Sequence, residues 1–323
     1  MLDVTRLRVL AAVARHGSVT AAAKALNYAQ PSVSHHLARL ESETGTRLIT
    51  RSGRGIRLTD AGRLLAGRAE EILGRLDAAE QELAAHVGQR EERIRLAGFP
   101  SALATIVPTA AARLRAARPG TDLQLTEAEP PAAARMLTSG RVDVALVFRY
   151  SQDGTVIGAP VEENTARARA RPLLSEPVYL VTQAGAPEPL AGHGHAATSA
   201  PSLAGYARHH WIAGCDRCRA HLLWQCELAG FEPNIAFSSD QSTVIQALAA
   251  AGLGVALLPD LALRAAPHLG IHTKLLPGAR REILALTSGD PPDPPAVEEL
   301  LEALTGAVPT PAPDHAHALA APA

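Results

Sequence analysis

Aromatic residues are scarce. They make up 3% of the 323 residues, and the first 58 carry Tyr28 alone. That argues against an amino-terminal platform on which single-stranded bases stack. Cysteine is rarer still: Cys215, Cys218 and Cys226, an odd number that gives no disulfide framework. No apolar run approaches the ~20 residues of a membrane-spanning helix, so no membrane partner is expected. Arg6, Arg8 and Arg15 interrupt the early apolar pattern, which therefore does not read as a signal peptide. A cytoplasmic location is the resulting expectation. Charge of one sign is also missing, with 31 Lys and Arg against 32 Asp and Glu. What remains is a globular composition, 47% hydrophobic and 20% charged, long enough for two or three domains.

The charge is unevenly placed. Residues 1–58 hold nine basic and three acidic side chains, a net of +6 in a chain whose total is −1. Nucleic acid is thus the expected partner of one end only. Within that end, Val4 to His16 predicts a helix with a stripe of Leu7, Leu10, Ala11 and Ala14, closed by Gly17. Val19 to Leu26 predicts a second helix presenting Ala22, Ala23 and Leu26. Asn27 follows where the chain must turn, and Asn tolerates the left-handed conformation. A third helix runs through Leu40 with Val33, Leu37 and Leu40 inward. Two short helices around a tight turn form a helix-turn-helix, whose second helix normally enters the DNA major groove.

The outer face of that helix is polar. His35 lies nearly opposite the buried stripe, Pro31, Ser32 and Arg39 also point outward, and Ser34 and His36 flank them. Gln30-Pro31 suits a helix start, where early amides can meet a phosphate. Thr20 at the start of the preceding helix joins this set. These side chains offer donors and acceptors for base edges and phosphates. A solvated face of an ordinary helical bundle would look similar. Downstream, Arg47 to Leu58 has short apolar runs around a Gly/Ser turn. It predicts a β-hairpin wing that carries Arg51, Arg54 and Arg57 along a DNA backbone.

These segments, in order and spacing, resemble the LysR-type transcriptional regulators. The matching stretches are Leu7-Arg8-Val9-Leu10, Gly17 to Ala23, Ala29 to Ser34, Leu40-Glu41, Gly45 to Arg51 and Leu58 to Gly62. His35 and His36 depart from the pattern, since the family often has Arg or Gln there. The resemblance implies a winged helix-turn-helix, a dimerising linker helix and an α/β effector-binding domain of two lobes, like a periplasmic binding protein. It implies a sequence-specific, non-enzymatic regulator with double-stranded DNA and a small-molecule effector as partners, and no cofactor. Homodimer and homotetramer both stay open, with the tetramer favoured by the resemblance. RNA polymerase is a further partner such a role brings in.

The expected division is a head at 1–58, a linker helix at 59–90, an effector domain at 91–306 and a disordered tail at 307–323. Lobe I covers about 91–173 and 278–306, and lobe II about 174–277. The linker carries Leu65, Ala69, Ile72, Leu76, Ala79 and Leu83 in steps of four and three, the heptad seam of paired helices. Packing on its own domain is the plainer explanation. Beyond Glu92, strands and helices alternate, which predicts parallel sheets covered on both sides. Val142 to Phe148, Val178 to Thr182 and Ile283 to Leu286 are among the expected strands. Gly252-Leu253-Gly254 follows a helix rather than a strand, so it is not a dinucleotide fingerprint.

Ligands of open α/β sheets bind beyond the carboxyl ends of strands. Three loops qualify: Pro100-Ser101-Ala102, where amides and a hydroxyl could hold an anion; Arg149-Tyr150, where Arg suits a carboxylate; and Ser238-Ser239-Asp240, whose Asp could equally be a helix cap. Cys215 and Cys218 form a C-x-x-C. Cys218 and Cys226 would lie about 12 Å apart on a helix rising ~1.5 Å per residue, too far to share a metal. Redox sensing at Cys215 near a helix N-terminus and metal binding are both conceivable, with burial in the core the default. The histidines at 193 and 195 make no metal site. An enzyme with a DNA-tethering head would need a nucleophile paired with a base, and Ser101 has no His partner in view. A two-lobed solute-binding protein would have no use for a basic head.

Overall fold

The computed structural model describes residues 2–52, 55–86, 92–157, 168–187, 203–289 and 291–308. The expected tail from residue 309, the tip of the wing and the loop at 191–195 lie outside these, while Ala307, expected to open that tail, is buried in the core of the domain. Contacts gather the chain into two compact units. One holds residues up to Arg93 together with Arg135–Asp143, and the other holds the remaining described residues.

The first unit begins with α1 (Val4–His16), α2 (Val19–Ala25) and α3 (Gln30–Thr44). Asp3 caps α1 by accepting from the Arg6 amide at 3.1 Å, and Gly17 ends it at φ 64°. Asn27 turns the chain at φ 55°. Helix α3 runs four residues past Leu40, because Thr44 Oγ1 donates back to the Leu40 carbonyl at 2.9 Å and Gly45 supplies a left-handed stop. Val33, Leu37 and Leu40 are at most 2% exposed, each burial contributing roughly 1.5–3 kcal/mol. They pack with Val9, Leu10, Val13, Ala22 and Ala23.

The wing is β1 (Ile49–Ser52) paired antiparallel with β2 (Gly55–Leu58). Glu41 on α3 pins its base, accepting from the Leu48 and Ile49 amides at 2.7 and 3.1 Å. Thr59 then starts α4 (Asp60–His86), donating to the Arg47 carbonyl at 2.7 Å and accepting from the Gly62 amide at 2.9 Å. A Cβ on Gly62 would stand 2.0 Å from the Leu48 carbonyl oxygen, so only glycine lets the helix approach the wing this closely.

The heptad seam of α4 is divided. Ala69 is fully buried against Leu7 and Ala11 of α1, with Leu65 partly buried beside it. These two positions belong to the core of the head, which corrects the expectation that they line a dimer seam. The helix must bury an apolar turn to stay attached to α1, and it uses them. Ile72, Leu76, Ala79 and Leu83 are exposed.

The second unit, apart from Arg93 and the last residues of α7, runs β3 (Arg93–Gly98), α5 (Pro100–Ala104), α6 (Ile106–Ala117), β4 (Asp122–Glu127), α7 (Pro130–Thr138), β5 (Val144–Gln152), β6 (Thr155–Ile157) and β7 (Ala168–Gln183). It continues with β8 (His210–Ala213), α8 (Asp216–Leu228), β9 (Asn234–Ser238), α9 (Ser242–Ala250), β10 (Ala256–Pro259), α10 (Asp260–Ala265), β11 (Ile271–Ser288) and α11 (Pro295–Gly306). The main sheet has the order β10-β7-β11-β5-β3-β4, with β6 on β5 and a separate parallel pair β8-β9. The expected parallel sheets are therefore mixed. Strands β3 and β5 are parallel, but β11 is antiparallel to β5 and β7, and β7 to β10. The chain leaves lobe I along β7 and returns along β11, so these strands must oppose each other. Only fragments of them were legible in the sequence, because each crosses from one lobe's core to the other's through half-exposed positions.

Candidate functional site

On the first unit, Thr20, Gln30, Pro31, Ser32, Ser34, His35 and Arg39 are all exposed. Gln30 Nε2 donates to Ser34 Oγ at 3.4 Å. Arg39 reaches Glu43 at 3.8 Å, and Glu43 also pairs with Arg6. His36 is half-buried, its ring 6.0 Å from Tyr28 and 6.2 Å from His35. Arg57 is exposed on β2. Arg54 and the side chain of Arg51 lie outside the described residues. The arrangement is a helix of hydroxyls, amides and imidazoles beside a cationic strand, matched to a polar polyanion.

In the second unit the crossing strands carry a buried charged cluster. Cross-strand register sets Arg281 of β11 beside Tyr150 of β5 and Glu176 of β7. Arg281 Nε donates to Glu176 Oε1 at 2.5 Å and its Nη2 to Ser101 Oγ at 3.0 Å. Its guanidinium also lies 4.9 Å from the ring centres of both Phe99 and Phe148. Glu176 accepts a second bond from the Leu261 amide at 2.6 Å. Burial lifts the Glu176 carboxyl above its ordinary range, with Arg281 opposing that shift. Such a pair ties α5, β7, α10 and β11 together at the crossing.

Helix α8 brings lobe II against this cluster. Tyr150 Oη lies 3.5 Å from Cys218 Sγ, and its ring stacks on His221 at 4.1 Å. Gln225 Nε2 donates to Gln152 Oε1 at 2.9 Å and lies 3.1 Å from His221 Nε2. Burial lowers the His221 imidazole to about 3, so it stays neutral. Glu129, just before α7, hydrogen-bonds to Cys215. Burial raises its carboxyl, and the charge of Asp240 acts on it in the same direction.

The predicted effector residues thus divide. Ser101 and Tyr150 are buried and both lie against Arg281, while Asp240 stands near enough to Glu129 to act on its carboxyl. Pro100 is half-buried at the start of α5. Ala102 is fully buried and its amide donates to the Phe99 carbonyl at 3.1 Å, so it offers a ligand nothing, a correction of the expected anion loop. Arg149 is also corrected. It sits within β5, not after it, on the opposite face from Tyr150, and its Nε pairs with Glu282 at 2.7 Å. The strand simply runs farther than its apolar stretch. Asp240 is exposed and does not cap α9, whose cap position is Gln241. Glu129, Glu176, His221 and Arg281 were missed. Their only sequence signal is a polar residue in an apolar run, and their partners lie up to 180 residues away.

A separate cavity of about 590 Å³ lies in lobe II, lined among others by Gln183, Tyr206, His210, Gly254 and Lys274. Among the described residues no three His, Cys, Asp or Glu side chains converge as a metal site, and no helix is long and apolar enough to cross a membrane.

Two family models match. Residues 4–63 fit the bacterial regulatory helix-turn-helix protein of the lysR family, and residues 88–309 fit the LysR substrate binding domain. The chain belongs to the LysR family of transcriptional regulators. This LysR regulator has a DNA-binding helix-turn-helix domain followed by an effector-binding domain. It is 33% identical over 163 residues to a probable cat1 operon transcriptional activator of Acinetobacter lwoffii, an alignment spanning 50% of this chain and 54% of that protein. It is 27% identical to the probable HTH-type transcriptional regulator LrrA of Synechococcus elongatus, over 85% of this chain and 87% of that one. The fold matches the crystal structure of CbnR, a LysR family transcriptional regulator, with TM-score 0.62 and 19% identity over 96% of this chain and all of that one. CbnR is also known in complex with its target DNA, a structure matched at TM-score 0.61 and 20% identity over 95% of this chain.

Proposed function

We propose that the protein is a non-enzymatic cytoplasmic regulator that reads duplex DNA through α3 and the wing, and responds to a small effector held between the two lobes. The carrying observation is the polar, outward face of α3 on a strongly basic head. Ser32, Ser34 and His35 read base edges; Gln30, Arg39, Arg51, Arg54 and Arg57 hold phosphates. Two heads on a two-fold operator require an oligomer, and the exposed Ile72, Leu76, Ala79 and Leu83 supply its seam. An effector touching Ser101, Tyr150 and Asp240 bridges both lobes, and so shifts their closure and the operator-binding state.

The test is a gel shift on the DNA upstream of the chain's own gene, with a salt titration. Binding falls steeply with salt if phosphate contacts dominate. Arg57→Ala weakens specific and random duplex alike, whereas Ser34→Ala changes sequence preference. Equal losses on both DNAs from both variants overturn this division.

A further inference from the structure

We propose that Cys215 and Cys218 are a peroxide-reactive dithiol at the start of α8, against Tyr150 of β5, converted by a small hydroperoxide to an intramolecular disulfide. The two sulfurs lie 2.9 Å apart, so bond formation needs a shift of under about 1 Å to reach the ~2.05 Å of a disulfide. The backbone is built for the approach. Cys215 is the cap residue of α8 and Cys218 stands in its first turn. A Cβ on Gly214 would come 2.9 Å from Cys218 Cβ and 3.3 Å from its Sγ, so glycine is what makes room for that thiol. All three cysteines are free thiols.

The surroundings divide the labour. Cys218 is partly exposed, and it receives hydrogen bonds from the Cys215 thiol and from Tyr150 Oη, with the positive charge of Arg281 near by; these favour its thiolate. Cys215 is more buried, and its single thiol proton is turned to Cys218; Glu129 stands within hydrogen-bonding reach of the same sulfur as the alternative acceptor for that proton. In the first step the Cys218 thiolate attacks the O–O bond of ROOH. One oxygen stays on sulfur as a sulfenic acid, and the other leaves as ROH with the proton that Cys218 gave up. In the second step Cys215, its proton passing to Glu129, attacks the sulfenic sulfur. The S–S bond forms, and hydroxide leaves and takes up that proton as water. The thiols lose two electrons together and the peroxide gains two. Cys226 stands apart, fully buried and pushed up to about 12 by burial, which leaves it unreactive.

The site also has a route to the rest of the domain. Tyr150 lies on a lobe I strand and Cys218 on a lobe II helix, and drawing Cys218 towards Cys215 removes the acceptor Tyr150 uses. Oxidation therefore acts where the lobes meet. The chemistry stands on geometry, and only its effect on DNA rests on the function proposed above.

The experiment exposes full-length protein to hydrogen peroxide, blocks remaining thiols, digests with trypsin and identifies linked peptides by mass. Cleavage after Arg217 separates the cysteines, so a disulfide joins residues 209–217 to 218–219, lighter by two hydrogens than the separate peptides. That product is expected in wild type and Cys226→Ala. It is expected to vanish in Cys218→Ser, and in Cys215→Ser to be replaced by a sulfenic acid on Cys218 trapped by dimedone. Oxidised glutathione, far larger than hydrogen peroxide and facing thiols that are buried or only partly exposed, is expected to give much less. No linked pair in excess peroxide, or linkage through Cys226, overturns the proposal. Operator affinity is measured on the same samples, with a change on the order of 5–150-fold expected for wild type and none for Cys215→Ser. A linked pair in a protein that ignores duplex DNA upholds the dithiol site and sinks the regulator reading instead.

Discussion

Replacing Glu41 by alanine removes the acceptor of two amides at the base of the wing, Leu48 and Ile49. Unsatisfied amides cost about 1–3 kcal/mol, so the unfolding free energy of the head falls by that much, the denaturant midpoint drops accordingly, and DNA affinity falls with it. A variant with unchanged midpoint would show that the wing is held by its apolar contacts alone. Arg281→Met is more severe, since it leaves Glu176 buried without its partner; a loss of about 3–5 kcal/mol is expected by chemical denaturation. Adding Glu176→Gln to it recovers part of that loss, and a double variant worse than the single would contradict the pairing. Glu41 was visible in the sequence as part of a motif. The Arg281 pair was not, because nothing local records which of many charged residues a strand will carry into the core.

Helices were legible wherever their contacts are local. Stripes in α1, α2 and α3 repeat at helical spacing, and Gly17, Asn27 and Gly45 stop or turn the chain where φ must be positive. The linker helix was legible as a helix but not in its allegiance, since one heptad pattern serves both a domain core and a partner helix. The division observed in α4 separates the two by experiment. Leu76→Asp, at an exposed position, is expected to shift sedimentation towards monomer with little change in the melting of the head. Ala69→Asp buries an unpaired charge against α1 and unfolds the head itself. If Leu76→Asp leaves the oligomer intact, the seam lies elsewhere. Strands β7 and β11 were the least legible elements. Their long register with each other, interrupted by irregularities near Leu275 and Ile283, replaces any regular alternation of their own.

At the scale of the molecule, two compact units predict two melting transitions, and acid separates them. His221 is buried and neutral, with its folded value near 3 against an ordinary 6.5. The unfolded chain binds a proton below about 6.5 and the folded one does not until about 3. Stability is therefore full at neutral pH and falls on acidification through that window, by about 1.4 kcal/mol for each pH unit. Calorimetry from pH 7 to 5 should lower the effector-domain transition, and His221→Phe should flatten that slope. A slope unchanged by His221→Phe assigns the acid sensitivity to another group. The sequence by itself determined the head, the helical linker, the α/β character of the remainder and the basic face turned to DNA, because these follow from spacing, turn residues and charge along one stretch of chain. Only the tertiary structure decided which residues meet where β5, β7 and β11 run side by side. Arg281, Glu176, Tyr150 and the two cysteines come from distant segments, and what unites them is cross-strand register and the docking of α8.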